Sequence, residues 1–251
     1  MATQAPTAES FDVGRLIARG VGVIGRQFVP FAVLSILLVG LPTFLIQFFV
    51  LGEVSKGNLT FFFSGTWALG LLVSFLSAAL LQAALVRASI RDLLEEPVEV
   101  VPNLVEALKL LLPVIAVSLL YGLMAILGML LLIVPGIMIY IAFIVSIPVL
   151  VEERQGIIGS LKRSAELTRG SRWWILLMLI LLILVSSVIG GIFALANTPF
   201  LAASRISLAI FQTASSTVTG LVSAAMLASL YAELRLIKEG ARGESLAAIF
   251  S

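Results

Sequence analysis

Six stretches of roughly 20 residues recur along the chain without a single Asp, Glu, Lys or Arg between their ends, and that is the length a helix needs to cross a hydrocarbon core about 30 Å thick. They run from about Val29 to Leu51, Trp67 to Val86, Leu110 to Val134, Ile137 to Val151, Trp173 to Leu195 and Leu208 to Ala232. A soluble fold has no interior large enough for so much apolar surface: 60% of the 251 residues are hydrophobic and only 12% charged, against about 25% charged in soluble domains. The expected fold class is therefore all-α, a polytopic membrane protein of about six transmembrane helices. Residues 1–28 read as a cytoplasmic tail with an amphipathic interfacial helix and 29–232 as the six-span domain, with interfacial segments at 87–109 and 152–172. Residues 233–251 read as a cytoplasmic C-terminal tail. Met1 to Ser10 are polar and lack a basic region, so the first span is expected to be retained as the insertion signal.

The third and fourth spans share one charge-free run, Leu110 to Val151. Pro135-Gly136 is a turn dipeptide and divides it into a hairpin with almost no loop, leaving a short fourth span that a thinned bilayer or a helix starting within the turn would accommodate.

Orientation follows from the cations. Fourteen of the 16 Lys and Arg fall on one side of this layout: Arg15, Arg19 and Arg26 before the first span, three between spans two and three, five between four and five, and three after the last. Only Lys56 and Arg205 fall on the other. So biased a distribution predicts an even number of crossings with both termini cytoplasmic.

The basic connections are patterned. Asp12, Arg15, Arg19 and Arg26 share a narrow wedge of a helical wheel, with Val13, Leu16, Ile17, Val21 and Ile24 around the remainder. That pattern predicts a helix lying among the headgroups. From Ile157 to Arg169, Lys162, Arg163, Glu166 and Arg169 oppose Ile157, Leu161, Ala165 and Thr168. Gly14, Leu16, Gly25 and Phe28 align at one offset with Gly159, Leu161, Gly170 and Trp173, and a weaker amphipathic stretch, Pro102 to Lys109, precedes span three. Three units of interfacial helix plus hairpin would explain this; so would the general tendency of short linkers between apolar spans to look amphipathic.

The chain contains no Cys and no His. That excludes disulfides, Cys or His zinc sites and any catalytic group built on either residue. A net charge of +2 is too small for nucleic acid. No ionisable group falls at mid-depth in any span, which counts against a carboxylate-coupled transporter. Paired acids Glu95-Glu96 and Glu152-Glu153 could hold a metal, but pairing with Arg91 and Arg154 or simple solvation is the more economical reading. In the sixth span Gln212, Thr213, Ser215, Ser216, Thr217, Thr219 and Ser223 could line a substrate path or bond within and between helices, with Gly220 and Ala224 as a small-residue contact.

The order Pro135-Gly136-Ile137, Pro148-Val149, Glu152-Glu153, Gly159-Ser160-Leu161-Lys162-Arg163-Ser164, Leu167-Thr168-Arg169-Gly170 and Trp173 resembles a bacterial and archaeal family of six-span inner-membrane proteins. That family is related to the membrane domain of glycerophosphodiester phosphodiesterases. The resemblance is clearest from Leu130 to Leu176 and implies structural roles for Pro135, Gly136, Pro148, Glu153, Ser164, Leu167, Gly170 and Trp173. It implies the fold and an association with lipid. It does not extend to enzyme activity, because the phosphodiesterase chemistry of the fused members belongs to a separate soluble domain with acidic and histidine residues. Lys162, Arg163, Arg169, Arg172, Arg15, Arg19 and Arg26 are the candidate contacts for anionic lipid headgroups, each adding about 1 kcal/mol near a charged surface; the same residues would equally serve to fix topology. No catalytic residue, cofactor or metal is expected. The expected partners are membrane lipids, with a protein partner or homo-oligomer left open. The expected function is non-enzymatic membrane organisation, maintenance or scaffolding. The alternatives are a transporter or facilitator of an amphiphilic solute and, last, a lipid enzyme.

Overall fold

The computed structural model describes residues 11–93, 100–197 and 205–250, with the side chains beyond Glu239 outside the described set. Glu95-Glu96, Met1 to Ser10 and the side chain of Arg242 therefore lie outside the described residues. Among those described, the protein is all-α. In chain order the helices are α1 (Val13–Arg26), α2 (Phe28–Ser35), α3 (Leu41–Ser55), α4 (Gly65–Leu93), α5 (Val100–Lys109), α6 (Leu111–Leu131), α7 (Ile133–Phe143), α8 (Ser146–Glu153), α9 (Gly156–Thr168), α10 (Arg172–Asn197) and α11 (Arg205–Phe250). Six helical stretches are long and apolar enough to span a bilayer: Phe28–Val54, Gly65–Ser89, Leu111–Leu131, Ile133–Glu153, Arg172–Ala196 and Ile206–Glu239. The short helices α1, α5 and α9 each precede a pair of these, so the order of elements repeats three times along the chain.

Three boundaries differ from expectation. The α6–α7 turn is not Pro135-Gly136. The chain breaks instead at Leu132, which is extended at φ −161 and ψ 139. Pro135 falls in the first turn of α7, where its missing N–H has no helical acceptor to serve. Gly136 acts by size: a Cβ there would lie 2.5 Å from the Met129 nitrogen and 2.6 Å from its Cα, so only glycine lets α6 and α7 cross this closely. The fourth span is therefore a full 21 residues, and no thinning of the bilayer is needed.

That span is broken at Ile144-Val145. Pro148, in the first turn of α8, cannot donate to the carbonyl four residues back. The interruption leaves the Ala142 carbonyl outside the helical ladder, and the buried Ser164 hydroxyl of α9 donates to it at 2.8 Å. A helix thus ends inside apolar surroundings with its exposed acceptor satisfied by a neighbour, as the absence of water requires.

In the first span, Ile36–Gly40 forms a π-helical turn between α2 and α3. Pro42 lies at the start of α3. Its ring would collide with the carbonyl four residues earlier in a regular α-helix, and the wider turn relieves this. At the other end of the chain, α11 continues through residues 232 and 233 without a break, so the expected tail is a continuation of the last helix.

Two buried clusters hold the bundle. One centres on α4, with Leu81 and Leu85 against Phe31, Leu34, Val114 and Leu150. The other surrounds the C-terminal part of α11, with Leu230, Tyr231 and Leu234 against Leu16, Val149 and Ile175. The outside is a continuous apolar belt. α10 is the most peripheral span, with only 11% of its apolar window buried.

Candidate functional site

The helices α1, α5 and α9, the C-terminal ends of α4 and α8 and the lower half of α11 meet at one end of the bundle, where almost all the charge gathers. The deepest group is Glu233 of α11, whose side chain is 0% exposed. Arg15 Nε donates to its Oε1 at 2.9 Å and Arg19 Nη1 to its Oε2 at 3.2 Å. The sequence predicts these two arginines facing lipid headgroups. Instead they turn inward, because α1 packs Leu16, Gly20 and Val23 onto the bundle and so carries both guanidiniums over α11. Gly20 permits the contact: a Cβ would stand 2.9 Å from Met226 Sδ.

Glu153, at the end of α8, is a second hub. It accepts from Arg163 Nε at 3.1 Å, from Gln155 at 2.8 Å and from the Tyr231 hydroxyl at 3.2 Å. Arg163 also donates to Glu239 at 2.8 Å. The pairing expected between the Glu152-Glu153 acids and Arg154 does not form at Glu153, because Arg154 adopts a left-handed backbone at φ 50 and swings to Glu106 of α5 at 3.3 Å. Glu106 also meets Lys109 at 3.0 Å and Arg87 at 3.5 Å. The hydrogen bond from Lys109, then the charges of Arg87 and Lys109, hold its carboxyl below the usual range. Asp92 accepts from Arg26 at 2.6 Å and Gln27 at 2.9 Å. Burial pushes its carboxyl up, but those hydrogen bonds and the Arg26 charge outweigh burial and leave it lowered, while Arg26 is raised in turn.

Four of the seven candidate headgroup contacts, Arg15, Arg19, Arg26 and Arg163, thus have carboxylate partners within the protein. Lys162, Arg169 and Arg172 form no ion pair with any described residue, and Lys162 and Arg169 are exposed. Arg172 is half-buried, and its Nε is fully buried with no hydrogen-bond partner. All three lie at the junction of α9 and α10, where Gly170 takes φ 93 and Trp173 is 74% exposed. Leu167, beneath them, is completely buried.

The second feature is a cleft in the span region. Between α4, α11 and the π-helical turn, a cavity of about 500 Å³ is lined by Val39, Gln82, Ser215, Thr219 and Ser223, among others. Next to it a cavity of about 780 Å³ lies between α7, α10 and α11, lined by Tyr140, Leu176, Leu179, Ser186 and Ser187, and also by Ser223. Ser223 is therefore the shared wall of two adjoining cavities. Ser216 and Thr217 donate back to the carbonyls of Gln212 and Thr213 at 2.9 and 2.8 Å, as the packing reading expects. Gln82, Ser215, Thr219, Ser223, Ser186 and Ser187 have no hydrogen-bond partner among the described residues, and all six face the cleft.

Sequence reasoning marked the hydroxyls of the sixth span but missed Gln82, the one amide among the uncharged residues of the second span. It also missed Glu233, which falls one residue past the last uncharged stretch. Among the described residues no cluster of His, Cys, Asp and Glu suits a metal. Compared with protein-family models, with curated proteins and with solved structures, the chain matches none.

Proposed function

We propose that this chain is a non-enzymatic, lipid-associated protein of a bacterial inner membrane that organises or maintains the bilayer, with its basic end and both termini in the cytoplasm. The observation that carries the reading is the division among its cations. Most are consumed in ion pairs that tie α1, α5 and α9 to the bundle, whereas Lys162, Arg169 and Arg172 have no ion-pair partner among the described residues and stand beside an exposed tryptophan. Three cations at an anionic surface contribute on the order of 3 kcal/mol, enough to keep acidic lipid at that edge. The resemblance to the six-span family points the same way. In reconstituted protein, phosphatidylglycerol should raise the thermal midpoint more than phosphatidylcholine does. Charge reversal at Lys162, Arg169 and Arg172 together should remove that difference. A wild-type protein indifferent to headgroup charge would refute the reading.

The cleft favours a second reading, a facilitator for an amphiphilic solute. A bundle packed solid at mid-depth would leave such a solute nowhere to go. The unpartnered Gln82, Thr219 and Ser223 support this reading because polar groups in hydrocarbon otherwise take partners from the protein.

A further inference from the structure

We infer that the cleft around Ser223 is a path for the polar head of a phospholipid, along which the head crosses mid-membrane while the acyl chains remain in the surrounding bilayer. The inference rests on the facilitator reading and names its substrate class.

Consider first the depth of the polar groups. Along α11, Thr219 lies 13 residues from Ile206, where the span begins, and 14 from Glu233, the first charged side chain beyond it, about 20 Å from each at 1.5 Å per residue. A hydroxyl there serves neither headgroups nor water at either surface. The amide of Gln82 and the hydroxyls of Ser215, Thr219 and Ser223 share one cavity and take no partner among the described residues. An amide left bare in hydrocarbon costs several kcal/mol, so whatever fills the cleft must itself be polar or hydrated. The cleft carries no charged residue, which suits a path: a fixed charge would bind a phosphate where a neutral donor lets it pass.

The shape selects the class. The α7–α10–α11 cavity is open along its flank, not enclosed, and its walls beyond the hydroxyls are Leu, Ile and the ring of Tyr140. A small hydrophilic solute would leak sideways into lipid-facing surface; an amphiphile would lie across the opening with its tails outside. Charge complementarity places the start of the path. Arg172, Leu176, Leu179, Ile183 and Ser187 recur at i, i+4, i+7, i+11 and i+15, so they lie on one face of α10. The guanidinium with its buried, unpartnered Nε therefore heads the same face that lines the cleft, and Ser187 follows about 22 Å farther along. The π-helical turn that accommodates Pro42 also supplies Val39 to the wall of the α4–α11 cavity, and turns of this kind are frequent at functional sites.

The test uses the full chain in phosphatidylcholine–phosphatidylglycerol vesicles carrying a trace of headgroup-labelled phospholipid, with dithionite added outside to report how fast inner-leaflet label becomes accessible. Wild type should accelerate translocation well above protein-free vesicles. Gln82→Leu, Thr219→Val and Ser223→Ala should each slow it by about threefold, the factor expected for one hydrogen bond within a membrane, and the triple variant should approach the protein-free rate. Since none of the three has a partner among the described residues, thermal midpoints should hold, which separates loss of the path from loss of the fold. Translocation no faster than in empty vesicles would overturn the inference, as would faster glycerol swelling without lipid translocation. Either result leaves the headgroup-charge experiment above free to succeed or fail independently.

Discussion

A carboxylate with no exposed surface persists inside a span only because two guanidiniums reach it. For Glu233 those come from a different helix more than 200 residues earlier. Replacing Glu233 with Gln removes the carboxylate that Arg15 and Arg19 share, and removing one member of such a buried pair costs roughly 3–5 kcal/mol. The expected result is a clearly lower midpoint in detergent unfolding, partly restored when Arg15 and Arg19 are both changed to Met. A smaller effect is expected at Ser164. Ser164→Ala leaves the Ala142 carbonyl, in the break between α7 and α8, with only the longer bond from the Thr168 hydroxyl at 3.4 Å and should cost about 1 kcal/mol by the same measurement. Neither residue announces its role in the sequence. Ser164 bonds to a carbonyl 22 residues away, which no local pattern encodes. Gly136 looks like a turn former and is a contact residue, since its neighbourhood is set by how two helices cross.

Among the elements, the six spans were the legible part, because desolvation acts on each stretch separately and needs no knowledge of neighbours. The interfacial helices were legible only in outline. A wheel diagram sorts polar from apolar positions but cannot say whether the polar edge meets lipid, water or a carboxylate, so α1 reads as membrane-facing whereas Arg15 and Arg19 turn in to Glu233 and the exposed Arg26 pairs with Asp92. The docking of α1 and α5 carries a pH dependence. Asp92 and Glu106 both hold carboxyls lowered in the folded state. A depressed folded value means the stabilisation is fully present above the ordinary carboxylate range, near 4, and is lost as pH falls through the folded values. Limited proteolysis between α1 and α2 should therefore be flat from neutral pH down to about 5 and accelerate below about 4. Asp92→Asn should raise the rate already at neutral pH and flatten the acid response.

At the scale of the whole molecule, the absence of cysteine makes topology directly measurable. Asp12→Cys and Lys238→Cys should react with an impermeant maleimide only after cells are opened, and Lys56→Cys should react in intact cells. Labelling of the first two on opposite faces would overturn the even number of crossings. In the repeated order of short helix and paired spans α11 comes last, and it touches elements from α1 through α4 as well as α8, α9 and α10. Because α11 has no interruption between Ser223 and Glu233, those ten residues behave as a stiff rod of about 15 Å. The grip of Arg15 and Arg19 on one end therefore sets the tilt of the other. A competing anion or a bound neighbour that pries the N-terminal segment loose should therefore be felt at the wall of the cleft, ten residues along the same uninterrupted helix.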